Sequence, residues 1–203
     1  MHPLSPFVRQ MALPGVGADG QARLGAARVL VVGCGGLGSP VALWLAAAGV
    51  GHLGLADPDR VDASNLHRQL LYGAADLGRP KVEAAADRLR AHAPGVGLTL
   101  HPVAVDDVTA PALVAAHDVV VDATDRLPVR YALSDACVAA GRPLVHGSVS
   151  RWEGRATVLC VPGGPCYRCL WPDAPPPGSV PTCDDGGVLG PVPGLVGMLQ
   201  ATE

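Results

Sequence analysis

The sequence predicts an α/β fold, a doubly wound and mostly parallel sheet with helices on both faces. Short β-branched runs alternate with apolar helical stretches along the 203 residues, a spacing that suits parallel strands joined by crossover helices. The chain is 49% hydrophobic but 3% aromatic, with one phenylalanine. Its core must therefore be Val, Leu and Ala, which favours helices packed on a parallel sheet over a β-sandwich. A glycine-rich loop, Gly33–Gly38, separates the first β-branched run from the first apolar helix, where an α/β sheet binds phosphate. The length suits one domain, residues 1–203, large enough to bury a core.

Each element follows in order. Arg9 stands on an N-terminal arm followed by Gly15, Gly17 and Gly20, and nothing local holds it. Arg28–Val32 is the first strand. Ser39 as N-cap and Pro40 at the first helical position open a helix, which continues through Val41–Ala48 until Gly49. His52–Ala56 is the second strand, completing a β-loop-α-β unit. Pro80 opens a helix to Ala91 with Val82, Ala85, Ala86 and Leu89 on one face. Gly97–His101 is a strand, Thr109–Ala116 a helix, Asp118–Asp122 a buried strand and Val129–Ala140 a helix. Pro143–Ser148 and Ala156–Val161 complete the sheet, with a turn to antiparallel expected at this C-terminal side. Pro172–Pro181 is a proline-rich loop, and Gly187–Glu203 an apolar helix.

Charge and composition narrow the function. A formal charge of −3 gives no electrostatic reason for a nucleic-acid or membrane partner. The stretch from Cys34 to Ala56 lacks charge, but Gly35, Gly36, Gly38, Pro40, Gly49, Gly51 and Gly54 punctuate it, so it is loop, helix and strand rather than a span. The N-terminus lacks the pattern of a secretory signal, so a cytoplasmic address is expected. The six cysteines are then thiols or ligands rather than a disulfide framework. Fourteen arginines accompany a single lysine, Lys81, and Asn65 is the chain's one asparagine.

Gly33, Gly35 and Gly38 match the dinucleotide fingerprint, with Gly36 extra, and Asp57 ends the second strand where a carboxylate meets a ribose hydroxyl. Alone, this is an NAD site or a mere packing turn, and an NAD-dependent dehydrogenase is the first rival. The next segment argues against it. DRVDASNLHRQLL at Asp59–Leu71 carries Asn65, Arg68 and Gln69, and GRPK follows at Gly78–Lys81. A dinucleotide needs no such cations, whereas a nucleoside triphosphate does. Lys81 in the first turn of a helix opposes the macrodipole, so either it is a solvated surface lysine or an anionic phosphate favours it there. Asp122 and Asp125 lie where the fourth strand ends, on the rim that holds Gly33 and Asp57. A carboxylate facing triphosphate acts through Mg²⁺, which assigns Asp125 to the metal; the alternative is an aspartate capping the following helix.

RQ at Arg9–Gln10, GCGGLG at Gly33–Gly38, D-x-D at Asp57–Asp59, SNLHRQ at Ser64–Gln69, PK at Pro80–Lys81, TD at Thr124–Asp125, CYRC at Cys166–Cys169 and TC at Thr182–Cys183 occur in this order. Together, from Arg9 to Glu203, they resemble the ThiF/MoeB group of adenylyltransferases, related to ubiquitin-activating enzymes. The resemblance implies a Rossmann-like domain whose loop holds ATP. It also implies adenylation of the C-terminal glycine carboxylate of a ubiquitin-like sulfur carrier ending in Gly-Gly, before sulfur transfer in a molybdopterin, thiamine or tRNA-thiolation type pathway. Carried over, Gly36, Asp57, Ser64, Asn65, Arg68, Lys81 and Asp125 contact ATP or its metal, with Asp57 on the ribose and Gly33, Gly35 and Gly38 completing the loop. Arg68 and Lys81 stabilise the leaving pyrophosphate, and Arg9 reaches the triphosphate of the other subunit of a homodimer.

The chain departs from the family pattern in places. Arg126 follows TD where the family usually has asparagine. Cys166 and Cys169 are half of the family's zinc site, so the chain is expected to be shortened at its C-terminus, with zinc binding weakened or lost. Cys34, Cys137 and Cys160 fall in core elements and are expected to be buried. Cys183 matches a cysteine that in some members takes part in thioester or acyl-disulfide chemistry, yet Asp184 and Asp185 beside it would raise a thiol pKa. No rhodanese domain is read here, so the sulfur donor is expected to be separate. The rival to an enzyme is an inactive, carrier-binding partner subunit of an activating complex.

Overall fold

The continuous apolar run of the first strand sorts its side chains alternately to two faces, as a period of two requires. In β1 (Arg28–Val32), Val29 and Val31 enter one core and Leu30 and Val32 the other. In a computed structural model, which describes residues 6–176 and 186–203, five more strands join it. They are β2 (His52–Ala56), β3 (Gly97–His101), β4 (Val119–Asp122), β5 (Leu144–Ser150) and β6 (Glu153–Leu159). Their order is β3-β2-β1-β4-β5-β6, parallel except for the antiparallel β5–β6 pair. The expected doubly wound sheet and its late antiparallel turn are therefore present. Its chain direction switches beside β1, so a crevice opens between the C-terminal ends of β1 and β4.

Two helices cover one face, α3 (Gly38–Ala47) and α4 (Lys81–His92), and two cover the other, α5 (Ala110–Ala115) and α6 (Leu127–Ala140). The short α7 (Tyr167–Leu170) packs on α6, and α8 (Pro191–Thr202) lies against α3, β5 and β6. Among the described residues, no helix is long and apolar enough to cross a membrane.

Three local expectations change. The helix after the glycine loop starts at Gly38, so Ser39 is inside it, 1% exposed, rather than its cap. Gly38 has to stand in the first turn because the loop folds back against it, and Pro40 then falls where helical N–H groups lack partners anyway. The last helix starts at Pro191; Gly187 has φ +70° and Val188 bridges to Arg151 instead. The N-terminal arm is helical, α1 (Val8–Met11) and α2 (Gly17–Ala26). The Gln10 and Gln21 amides donate to the Ala48 carbonyl at 2.9 and 3.0 Å, satisfying the C-terminal end of α3. Arg9 is thus held locally after all, on α1.

Three histidines lie along β2, β3 and the turn before β4. His117 Nδ1 donates to the Leu113 carbonyl at 2.7 Å, and its Nε2 stands where a Cβ on Gly54 would be, 2.4 Å away. His52 Nε2 is 2.9 Å from Thr99 Oγ1. Burial lowers the pKa of His52, His101 and His117, and Arg28 lowers His52 and His117 further. A histidine whose folded pKa lies below its unfolded value binds fewer protons when folded. Its contribution is complete above about pH 6.5 and is lost as pH falls toward the folded value. Melting temperature should fall on the order of 2–4 °C between pH 7.5 and pH 5.5, and less in a His117→Gln chain. An equal slope in both chains would show that this row of histidines is not the cause.

Candidate active site

Two glycines of the loop, Gly33 and Gly38, are required for separate reasons. Gly33 has φ +91°, and a Cβ there would lie 2.6 Å from the Ala123 carbonyl oxygen. At Gly38 a Cβ would lie 1.8 Å from the Gly33 carbonyl oxygen, so backbone meets backbone with no room for a side chain. Gly38 serves packing and does not line the cleft, whereas Gly33, Gly35 and Gly36 do. Gly36 faces Pro193 of α8 and the Arg68 stem. The Tyr72 hydroxyl donates to the Cys34 carbonyl at 2.8 Å and holds the loop from below.

The cleft has a volume of about 490 Å³ and opens where β1, β2 and β4 end, at Val32, Ala56 and Ala123. Asp57, 5% exposed, accepts from the Cys34 amide at 2.7 Å and the Asp59 amide at 2.8 Å, so it ties the loop to β2. Burial raises its pKa, and Lys81 and the two amides oppose that rise. Each oxygen keeps a lone pair for a further donor.

Lys81 is at the first turn of α4, as expected, but is not solvated: it is 5% exposed, and its Nζ donates to Asp59 Oδ2 at 2.9 Å. A buried cation on a cleft wall is an anion site already desolvated. Opposite it, Asp62 Oδ1 accepts from the Ser64 amide and hydroxyl at 2.8 and 2.6 Å, which lowers its pKa and opens the 3₁₀ turn Ala63–Asn65. Asn65 donates to Ser64 Oγ at 2.9 Å and accepts from Gln69 Nε2 at 2.6 Å, while Arg68 Nη1 donates to the Ser64 carbonyl at 3.1 Å. Ser64, Asn65, Arg68, Lys81 and Asp125 all line the one cleft.

At the end of β4, Asp125 is exposed and on the cleft wall, and among the described residues no hydrogen bond or ion pair engages its carboxylate. It does not cap the next helix, whose N-cap is Arg126 with no side-chain bond. Asp122 is not on the rim: it is fully buried, and it accepts from His146 Nδ1 at 2.7 Å. Burial would raise its pKa, but His146, Arg130 and Thr124 outweigh that and hold it below the ordinary carboxylate range. Arg130 lines the cleft and escaped the sequence reading, because no short motif contains it. Its Nε and Gln69 Oε1 are buried polar atoms without a hydrogen-bond partner, both at the cleft. Gln69 was legible as part of the motif but not as a wall residue. Arg9 is exposed on α1 and does not line the cleft of its own chain.

The Cys166 and Cys169 sulfurs are 3.6 Å apart, and among the described residues no group of three or more possible metal ligands stands together. Two thiols do not make the four-ligand tetrahedron zinc requires. Cys34 and Cys137 are buried as expected, but Cys160 is only half-buried, at φ +60° in the turn after β6. Cys183 lies outside the described residues.

A model of the ThiF family matches residues 7–203. The adenylyltransferase and sulfurtransferase MOCS3 of Mus musculus is 54% identical over 197 residues, 97% of this chain and 43% of that protein. The sulfur carrier protein adenylyltransferase of Thermus thermophilus is 48% identical over 205 residues, 98% of this chain and 76% of that protein. The chain thus spans less than half the length of the first of these relatives. Among solved structures, E. coli MccB superposes with a TM-score of 0.83 at 25% identity, covering 98% of this chain and 60% of that one.

Proposed function

The chain belongs to the ThiF family, and from that membership we propose that it adenylates the C-terminal glycine carboxylate of a ubiquitin-like sulfur-carrier protein. One observation carries this reading. Two cations suited to a polyphosphate, Arg68 and the buried Lys81, share a cleft with the glycine loop and with an unengaged carboxylate, Asp125. The donor set fits ATP, since Gln69 Oε1, buried among the described residues without a hydrogen-bond partner, suits a ribose hydroxyl or an amine.

The carrier carboxylate attacks the α-phosphorus, a P–O bond to pyrophosphate breaks, and an acyl adenylate forms. At neutral pH that carboxylate is already ionised, so the step needs no protein base. The backbone N–H groups at Gly35 and Gly36 face the phosphates at the start of α3. Asp57 holds the ribose, while Ser64 and Asn65 order the turn that presents Arg68. Arg68 and Lys81 neutralise charge as pyrophosphate leaves. Magnesium is commonly held by one or two carboxylates plus substrate phosphates, so Asp125 alone fits it, and its chemistry there is to neutralise phosphate charge.

The reading extends to a homodimer in which Arg9 serves the neighbouring cleft, and to a cytoplasmic setting. Mg-ATP and a Gly-Gly-ended carrier should give carrier-dependent exchange of labelled pyrophosphate into ATP, because adenylation is reversible while the acyl adenylate stays bound. A folded chain that binds carrier and ATP yet exchanges nothing is instead an inactive partner subunit.

A further inference from the structure

The turn that carries Asp125 is held by three hydrogen bonds that Thr124 makes with Asp122 and Arg130. Asp122 Oδ1 accepts from the Thr124 amide at 3.0 Å and the Thr124 hydroxyl at 2.7 Å. Arg130 Nη2 donates to the Thr124 carbonyl at 2.9 Å. All three polar groups of the residue before Asp125 are therefore fixed. Asp122 is in turn fixed by His146, whose Nδ1 must carry the proton it donates to an ionised carboxylate. The Asp122 carbonyl accepts from Gln200 Nε2 at 2.8 Å, and the same amide donates to Val145 at 3.1 Å. Strand β5 thus holds Asp122 by its carboxylate, and helix α8 holds it by its backbone carbonyl.

We propose that Asp122 is a positioning residue for adenylation, acting through Thr124 to set where Asp125 stands, with His146 and Gln200 holding Asp122 in place. The proposal rests on the adenylation reading and on the part given there to Asp125. Its physical ground is that a charged contact works only when pre-organised, and a shift of about 1 Å can cost on the order of a hundredfold in rate. A buried acid that merely ties β4 to β5 would need the His146 bond. It would have no need of the two bonds to Thr124, which point along its own chain toward the cleft.

Pyrophosphate exchange in a double-mutant cycle tests it. Asp122→Asn keeps the volume but puts an amide where two donors converge, and it should lower kcat by about tenfold or more with KM for ATP changed less than about twofold. In an Asp125→Ala background the same substitution should change the rate by less than about twofold, because its route to the chemistry is already gone. Equal factors in the two backgrounds, or no loss in the otherwise wild-type chain, would overturn the proposal. Should Asp122→Asn fail to fold by circular dichroism, Thr124→Val takes its place in the cycle, with Thr124→Ser expected to restore the rate. A wild-type chain without exchange would instead count against adenylation itself, so the two failures are told apart.

Discussion

Asp125→Ala should lower carrier-dependent pyrophosphate exchange by about a hundredfold or more, since one pre-organised electrostatic contact in a transition state is commonly worth that much. The carboxylate is exposed on the cleft wall, engaged by no other described group, and caps no helix, so its removal opens no cavity and breaks no bond of the fold. The melting temperature should stay within about 2 °C of wild type. A loss of exchange accompanied by a loss of stability would mean that Asp125 is structural.

The same variant tests the dimeric site. Arg9→Ala and Asp125→Ala chains, each strongly impaired alone, should recover exchange when mixed under conditions that allow subunit exchange. Random pairing makes about half the dimers mixed, each with one complete site, so roughly a quarter of wild-type activity is expected for two-fold pairing. No recovery after verified mixing would confine Arg9 to its own chain or remove it from the reaction.

Gly38→Ala should be among the most damaging single methyls at the described glycines. Its Cβ would stand 1.8 Å from the Gly33 carbonyl oxygen, and no flexible side chain can yield there. Opening the loop would also strain Gly33 against Ala123 and loosen the first turn of α3. A cost of about 3 kcal/mol or more is expected in urea unfolding, with nucleotide binding lost as the loop amides move. Gly35→Ala is the control, because its nearest neighbour is the end of the Gln69 side chain at 3.5 Å and its φ is not positive. That chain should unfold within about 0.5 kcal/mol of wild type. Comparable losses at both positions would mean that the packing account of Gly38 is wrong.

Much of this molecule was legible from local pattern. Strands β1, β2 and β3 stand at the expected residues, because short apolar runs beside a glycine, too short for a helix, have few other uses in an α/β chain. The glycine-loop part of the cleft was legible for a similar reason. Glycines in a strand-to-helix turn, and cations retained in a lysine-poor chain, carry chemical meaning at short spacing. Ser39 misled because an N-cap rule reads only neighbours, whereas the contact between Gly38 and Gly33 decides where the helix begins. The N-terminal helices went unread because what holds them is two glutamine amides on Ala48, 38 and 27 residues away.

By itself the sequence determined the fold class, the bounds of the first three strands, and residue types that line the cleft. Only the tertiary structure decided that Lys81 is buried on Asp59, that Arg130 is a wall of the cleft, and that Asp122 is buried on His146. Bonds such as His146 to Asp122, 24 residues apart, and Gln200 to Asp122, 78 apart, leave no periodic trace along the chain. A buried polar group finds its partner wherever packing brings donor and acceptor together, and in this chain that meeting occurs where β4, β5 and α8 converge.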